Sequence, residues 1–288
     1  MATCGLLGMN RQVYYRKIRS AKKRKSTAQQ VVDLVNAVRT KMPRLGTKKL
    51  YHLLQEDLRV LGVGRDMLFR ILGVNHMLIV PKRQYHITTN SHHRFRKHKN
   101  LIVDVVPSRP EQIWVSDITY VGNRTNPMYL ALVTDAYSKK IMGYDVSDSL
   151  DTKGSIRALK MAIKTRCYKP NTLIHHSDRG LQYCSYPYQK VLKKANLGCS
   201  MTESYDPYAN AVAERVNGIL KAEFIGYDTS HKLTVMQQLV CDSIKIYNDY
   251  RPHYSCFMKT PKQMHQQNEI KIRTYKNKYS SKRAFAGV

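Results

Sequence analysis

Three of the twenty acidic residues in this 288-residue chain stand where carboxylates can act together. Asp117 falls inside an alternating, β-type run, W-V-S-D-I-T-Y (114–120). Asp178 directly follows a short apolar run in L-I-H-H-S-D-R-G (173–180), and Glu214 lies early in a helical stretch after D-P-Y-A-N (206–210). Carboxylates that converge from two strands and a helix offer hard oxygen ligands, which suit Mg²⁺. Two such ions about 3.5–4 Å apart can serve both ends of an in-line displacement at phosphorus, one at the attacking oxygen and one at the leaving oxygen. Twenty acids make many triples, so spacing alone decides little; the local context of these three carries the expectation.

The elements that must hold them follow from periodicity. Residues 114–121, 128–134 and 140–146 read as strands of an antiparallel meander, with Asp135 in the turn before the third. A helix over 152–166 carries Ile156, Leu159, Ala162 and Ile163 on one face. A short buried strand at 172–176, a Tyr-rich helix at 186–195, a strand at 197–201 and a long helix at 210–224 complete the series. The order βββαβαβα is that of the ribonuclease H-like α/β fold, in which the strands bearing Asp117 and Asp178 are sheet neighbours.

Ahead of this core the chain is helical and basic. Residues 1–110 hold 23 Lys/Arg against 5 Asp/Glu, within a formal net charge of +29 for the whole chain. A surface of that sign points to polyanions. No apolar stretch approaches the roughly 18 residues that span a bilayer, so DNA is expected rather than a membrane. The N-terminus has no secretory pattern, and the six scattered cysteines form no C-x-x-C pair, which fits a reduced cytoplasm and neither a zinc ribbon nor a disulfide framework. Residues 1–25 read as a partial helix-turn-helix whose second helix presents Arg11, Tyr15 and Arg19, followed by a basic linker or exposed helix start at 21–30. Residues 26–80 read as a helical DNA-binding domain. Val31, Leu34, Val35 and Val38 face inward on one helix, Leu50, Leu53, Leu54 and Leu58 on a helix over 47–59, and Met67, Leu68 and Ile71 on a third over 65–72 that leaves Arg65 and Arg70 outward. A basic linker is expected at 81–108, the catalytic core at 109–270 and a basic tail at 271–288. His92, His93 and His98 in the linker lack a cysteine pair at ligand spacing and are expected to be solvated, or phosphate neighbours when protonated.

The motifs together resemble the OrfB-type transposases of the insertion-sequence three family, in the DDE transposase and retroviral integrase superfamily. The similar segments are W-V-S-D-I-T-Y (114–120), T-D-A-Y-S-K (134–139), H-S-D-R-G-L-Q-Y (176–183), D-P-Y-A-N-A-V-A-E-R-V-N-G-I-L-K-A-E (206–223) and Y-N-D-Y-R-P-H (247–253). Thirty-five residues separate Asp178 from Glu214, the family's spacing. K-M-P-R-L-G-T-K-K-L-Y (41–51), with Lys48 and Lys49, resembles the family's helix-turn-helix region. Two departures stand out: Ala209 where an acid is common, and Cys256-Phe-Met258 where a glycine-containing turn is common.

The resemblance implies metal-dependent cleavage at the ends of an insertion sequence and strand transfer of the 3′-hydroxyl into DNA. Asp117, Asp178 and Glu214 would be both the catalytic residues and the ligands of two Mg²⁺ ions, with Mn²⁺ as a substitute. Lys221, two helical turns beyond Glu214, is expected to face the DNA, joined by Arg11, Arg19, Lys48, Lys49, Arg65, Arg70 and Arg251. Implied partners are double-stranded DNA (terminal inverted repeats and target), further copies of the chain on that DNA, and an upstream-frame segment supplied as a partner or fusion. The expected location is the bacterial cytoplasm, at the nucleoid. Among other residues, Asp135 is expected to serve the turn and Glu223 to pair on the surface with a neighbouring base. One of His175 and His176 is expected to be buried and the other free to bond a ligand. Tyr120, Tyr183 and Tyr208 are expected to pack or to stack on DNA, and Arg251 and His253 to touch DNA or cap a helix.

Overall fold

The computed structural model describes residues 8, 10–80, 98–103, 105–122, 127–168, 172–202, 211–226 and 232–272. The chain divides into two compact units, Met1–Lys82 and Arg83–Val288.

The first unit is all helical. Helix α1 (Arg11–Lys41) starts at Asn10, whose side chain accepts the Gln12 amide at 2.8 Å. It runs unbroken through 21–30, expected as a linker or an exposed helix start, and the stretch is helical. The reason is compositional: residues 21–30 are polar but contain neither Gly nor Pro, and Ala, Lys, Arg and Gln are good helix formers. The helix before the turn of the partial helix-turn-helix, within 1–7, lies outside the described residues. Only the C-terminal half of α1 packs, through buried Val31 and Val35 and half-buried Leu34 and Val38. From 11 to 26 every residue except Val13 and Ile18 is exposed. The helix expected over 47–59 divides at Leu54 (φ −102°, ψ 17°) into α2 (Thr47–Leu53) and α3 (Gln55–Val60). That break keeps Leu50, Leu54 and Leu58 buried and turns Leu53 to solvent, contrary to expectation. Gly62 then takes a left-handed turn at φ +68°, leading into α4 (Arg65–Val74), which buries Leu68, Ile71 and Leu72 and exposes Arg65 and Arg70.

The second unit holds a five-stranded mixed sheet ordered β3-β2-β1-β4-β5. Strands β1 (Ile113–Gly122), β2 (Pro127–Asp135) and β3 (Ile141–Ser147) form the antiparallel meander. After α5 (Thr152–Lys164) the chain returns through β4 (Ile174–Ser177), parallel to β1. Helices α6 (Leu181–Cys184) and α7 (Tyr186–Lys194) lead to β5 (Gly198–Met201), parallel to β4. Helix α8 (Ala211–Ile219) follows and continues as a wider π-helical turn (Leu220–Ile225), and then come α9 (Leu233–Asp249), a 3₁₀ turn (Tyr254–Cys256) and α10 (Pro261–His265). This is the ribonuclease H-like arrangement of α and β elements.

One face of the sheet packs Trp114, Ile118, Ala131, Val133 and Met142 against α5 and α7. Here Gly143 is required, because a Cβ would collide with the Ala158 carbonyl and the Ala162 amide. The other face packs Val121, Leu130, Leu132 and Val146 against the α8 end and α9. Residues 81–97, with His92 and His93, lie outside the described residues. The end of the expected linker lies along β5, where Leu101 N donates to Ser200 Oγ (2.8 Å) and Met201 N donates to the Lys99 carbonyl (3.3 Å). Among the described residues no helix is long and apolar enough to cross a membrane.

Candidate active site

The parallel pairing of β1 with β4 sets the geometry. Its register runs from Ile113↔Ile174 to Ser116↔Ser177, so the next residue on each strand is Asp117 and Asp178. Adjacent strands lie about 4.8 Å apart, which puts the two carboxylates side by side where β4 ends and β1 continues. Alternation assigns Asp117 to the α8 face of β1, with Val115 and Thr119, while Trp114 and Ile118 enter the opposite core. On that face Asn217 Nδ2 donates to Asp117 Oδ2 (2.8 Å), and the other oxygen accepts the Ile118 amide (2.9 Å). Asp178 Oδ1 accepts the Gly180 amide (3.0 Å), which shapes the turn into α6.

Glu214 and Asn217 lie three residues apart on α8, hence on one side of the helix. Glu214 is exposed, yet its charge and that of Asp178 both reach Asp117. Burial, then Asp178, then Glu214 push the Asp117 carboxyl up to about 7, against the opposing pull of Asn217 and the Ile118 amide. Burial also raises Glu214. Lys221, in the π-helical turn, is half-buried, and its Nζ donates to Thr119 Oγ1 (3.3 Å) on β1. Burial lowers its pKa while Asp117 pulls the other way. A pocket opens over the strand ends, lined by Asp117, Ile118, Leu150, Asp178, Gly180, Gln182 and Tyr183.

Integrase core domain models match residues 107–207 and 195–261. A 31 kDa protein of insertion element IS600 from Shigella sonnei is 32% identical over 255 residues, covering 87% of this chain and 92% of that protein. The chain belongs to the IS3-type DDE transposases. The transposase for IS629 of Shigella sonnei is 35% identical over 62% of this chain and 60% of its own length. Transposase InsF for IS3A of Escherichia coli K12 is 36% identical over 57% of each. The chain thus matches about three fifths of the length of those two relatives.

Within this transposase the three acids do not close into a tight cage. The group of His, Cys, Asp and Glu ligand atoms that all lie within 4.8 Å of one another among the described residues is Glu111, Cys167 and His265, not the triad. Glu111 and His265 are buried and belong to an ion network, while Cys167 is exposed. Glu111 accepts the Cys167 and Tyr168 amides, one on each oxygen at 2.8 Å, and pairs with Arg166 (3.5 Å) and His265 (3.4 Å). Burial pushes the Glu111 carboxyl up, but His265 and the two amides outweigh it and hold it low. Burial likewise pushes His265 down, and Asp135 and Glu111 more than reverse it, so its pKa lies above the ordinary imidazole value. Asp135 serves its turn, accepting from Glu111 N and from Ser138 N and Oγ.

Several expectations need correction. Arg251 is 1% exposed and forms a two-pronged pair with Glu223 (2.6 and 2.8 Å), with Tyr247 beneath it, so it cannot reach DNA. Glu223 is accordingly not a surface partner of a sequence neighbour; it reaches across to the end of α9. His253 is buried as well. His175 and His176 are both buried: His175 Nε2 meets Ser116 Oγ (2.7 Å) and Tyr188 Oη (3.0 Å), and His176 Nδ1 meets Ser200 Oγ (2.9 Å). Burial drops His175 to about 3, keeping it neutral. Tyr183 is buried in the core, Tyr120 is half-buried beside Tyr129, and Tyr208 and Ala209 lie outside the described residues.

Arg11, Arg19, Lys48, Arg65 and Arg70 are exposed in the first unit and Lys49 is half-buried, with Arg65 paired to Asp66 (2.9 Å) and Arg11 over the Tyr15 ring. Sequence reasoning missed Asn217. Its position three residues after Glu214, on the face that turns toward β1, was the available signal.

Proposed function

We propose that Asp117, Asp178 and Glu214 hold two Mg²⁺ ions, replaceable by Mn²⁺, and that the chain cuts DNA at insertion-sequence ends and joins the freed 3′-hydroxyl to target DNA. The observation that carries this reading is the β1–β4 register, which aligns Asp117 and Asp178, with the Asp117 carboxyl pushed up to about 7 by burial and its acidic neighbours. A site of all-oxygen donors with that much unrelieved negative charge fits hard divalent cations. Bound there, the ions would stabilise the attacking and leaving oxygens.

The chain's own residues supply position. Asn217 fixes the rotamer of Asp117. Gly180 fixes Asp178, and Lys221 sets a cation beside the carboxylates for a phosphate. In the first step water adds to phosphorus and the bond to the 3′-oxygen breaks. In the second that 3′-hydroxyl attacks a target phosphodiester and displaces its 3′-oxygen. The basic helices at 26–80, with Lys48, Lys49, Arg65 and Arg70, and the α1 residues Arg11 and Arg19, grip DNA, including terminal inverted repeats. Copies of the chain assemble on that DNA at the nucleoid in the cytoplasm, together with an upstream-frame segment. The remaining divisions are a linker at 81–108, the catalytic core at 109–270 and a basic tail at 271–288.

The test is Asp178→Asn, which removes one ligand charge and nearly keeps the shape. With Mg²⁺, a pre-cut end bearing a free 3′-hydroxyl and a target duplex, joining should fall below detection while end binding persists. Joining at the parent rate would overturn the triad. Degradation of the end by the parent, with no joined product, would identify a nuclease instead.

A further inference from the structure

Tyr183 carries a group that the protein itself leaves idle. Its ring, 2% exposed, packs edge-on against Tyr188 (centroids 5.3 Å apart, 83°) and beside His175 (6.3 Å) in the core under β1 and β4. Its hydroxyl is buried without a hydrogen-bond partner among the described residues. A phenylalanine would fill the same core without that cost, since a stranded buried hydroxyl destabilises a fold by about 1–3 kcal/mol. Tyr188 differs: its hydroxyl is engaged with His175 at 3.0 Å.

The location of the idle hydroxyl has chemical meaning. Tyr183 lines the pocket over Asp117 and Asp178, and both carboxylates act on its phenol. On the other face of the sheet Asn217 holds Asp117 through its Nδ2, while its Oδ1 is buried without a hydrogen-bond partner among the described residues. Hydrated Mg²⁺ retains several water ligands. Those waters are strong donors that need acceptors once the pocket shields them from bulk solvent.

We propose that the Tyr183 hydroxyl is an outer-sphere partner of the cation at Asp117 and Asp178, accepting a hydrogen bond from one of its water ligands and so positioning that water. This rests on the metal-binding reading above. Tyr183 is a positioning residue, acting on the cation through water. Loss of an outer-sphere partner typically weakens metal affinity by about 10–100-fold.

The experiment measures Mn²⁺ and Mg²⁺ affinity by calorimetry on the full chain without DNA, alongside melting temperature in a chelator. Three variants are compared with the parent: Tyr183→Phe, Tyr188→Phe and Asp178→Asn. Tyr183→Phe should bind the cation about tenfold more weakly or worse, with metal-free melting unchanged or higher. Tyr188→Phe should do the reverse, melting lower with unchanged affinity. Parent-like affinity in Tyr183→Phe overturns the proposal, as does a lower metal-free melting temperature, which would make the hydroxyl structural. Parent-like binding by Asp178→Asn would instead remove the metal site on which the proposal rests.

Discussion

The carboxyl of Asp117 makes the metal-free protein sensitive to pH in a direction opposite to that of most carboxylates. Its pKa moves from an ordinary 3.8 to about 7 in the folded chain. Between those values the folded state holds a proton that the unfolded state has released, so stability falls as pH rises. The penalty is absent below about pH 4, grows by about 1.4 kcal/mol per pH unit through the window and levels off above about 7, reaching about 4 kcal/mol. Asp117→Asn, which cannot ionise, should abolish that loss. A divalent cation should also abolish it and bind more tightly as pH rises, because it competes with the same proton. The assay is urea unfolding at about pH 5, 6.5 and 8, in chelator and in Mg²⁺, for the parent and Asp117→Asn. The reasoning fails if the parent in chelator is no less stable at pH 8 than at pH 5, or if Asp117→Asn shows the same decline.

Two further substitutions separate stability from DNA contact. Arg251→Ala strands the Glu223 carboxylate across a buried pair and should cost about 3–5 kcal/mol by denaturant unfolding, with the DNA affinity of the folded fraction unchanged. Arg70→Ala, on the exposed side of α4, should shift stability by no more than about 0.5 kcal/mol and weaken DNA binding in an electrophoretic or anisotropy assay. Phe257 sits at φ +53°, in the left-handed region that favours glycine, and is 46% exposed. Phe257→Gly should therefore raise stability by about 0.5–1 kcal/mol, checked by thermal melting.

Much of this protein was legible in its sequence because local rules act on local stretches. Alternation marked β1–β3, the 3.6-residue period marked α5, and the carboxylates stood out because one lies within a strand, one directly after a strand and one early in a helix. Charge was equally local: the cations at Arg65 and Arg70 face outward because the opposite face of α4 is apolar. What composition could not indicate was which polar residues would meet across the chain. Arg251 reads as a surface base in Y-N-D-Y-R-P-H, but α9 carries it into the core, where Glu223, 28 positions earlier, neutralises it. Glu111, Asp135 and His265 are likewise unremarkable apart, and the packing of α10 against the turn after β2 joins them. The same holds at the active site. The sequence supplied Asp117 and Asp178, but the parallel register of β1 and β4 put them side by side. The lean of α8 onto β1 brought Asn217 to Asp117, because only the folded sheet brings residues 100 positions apart within a hydrogen bond.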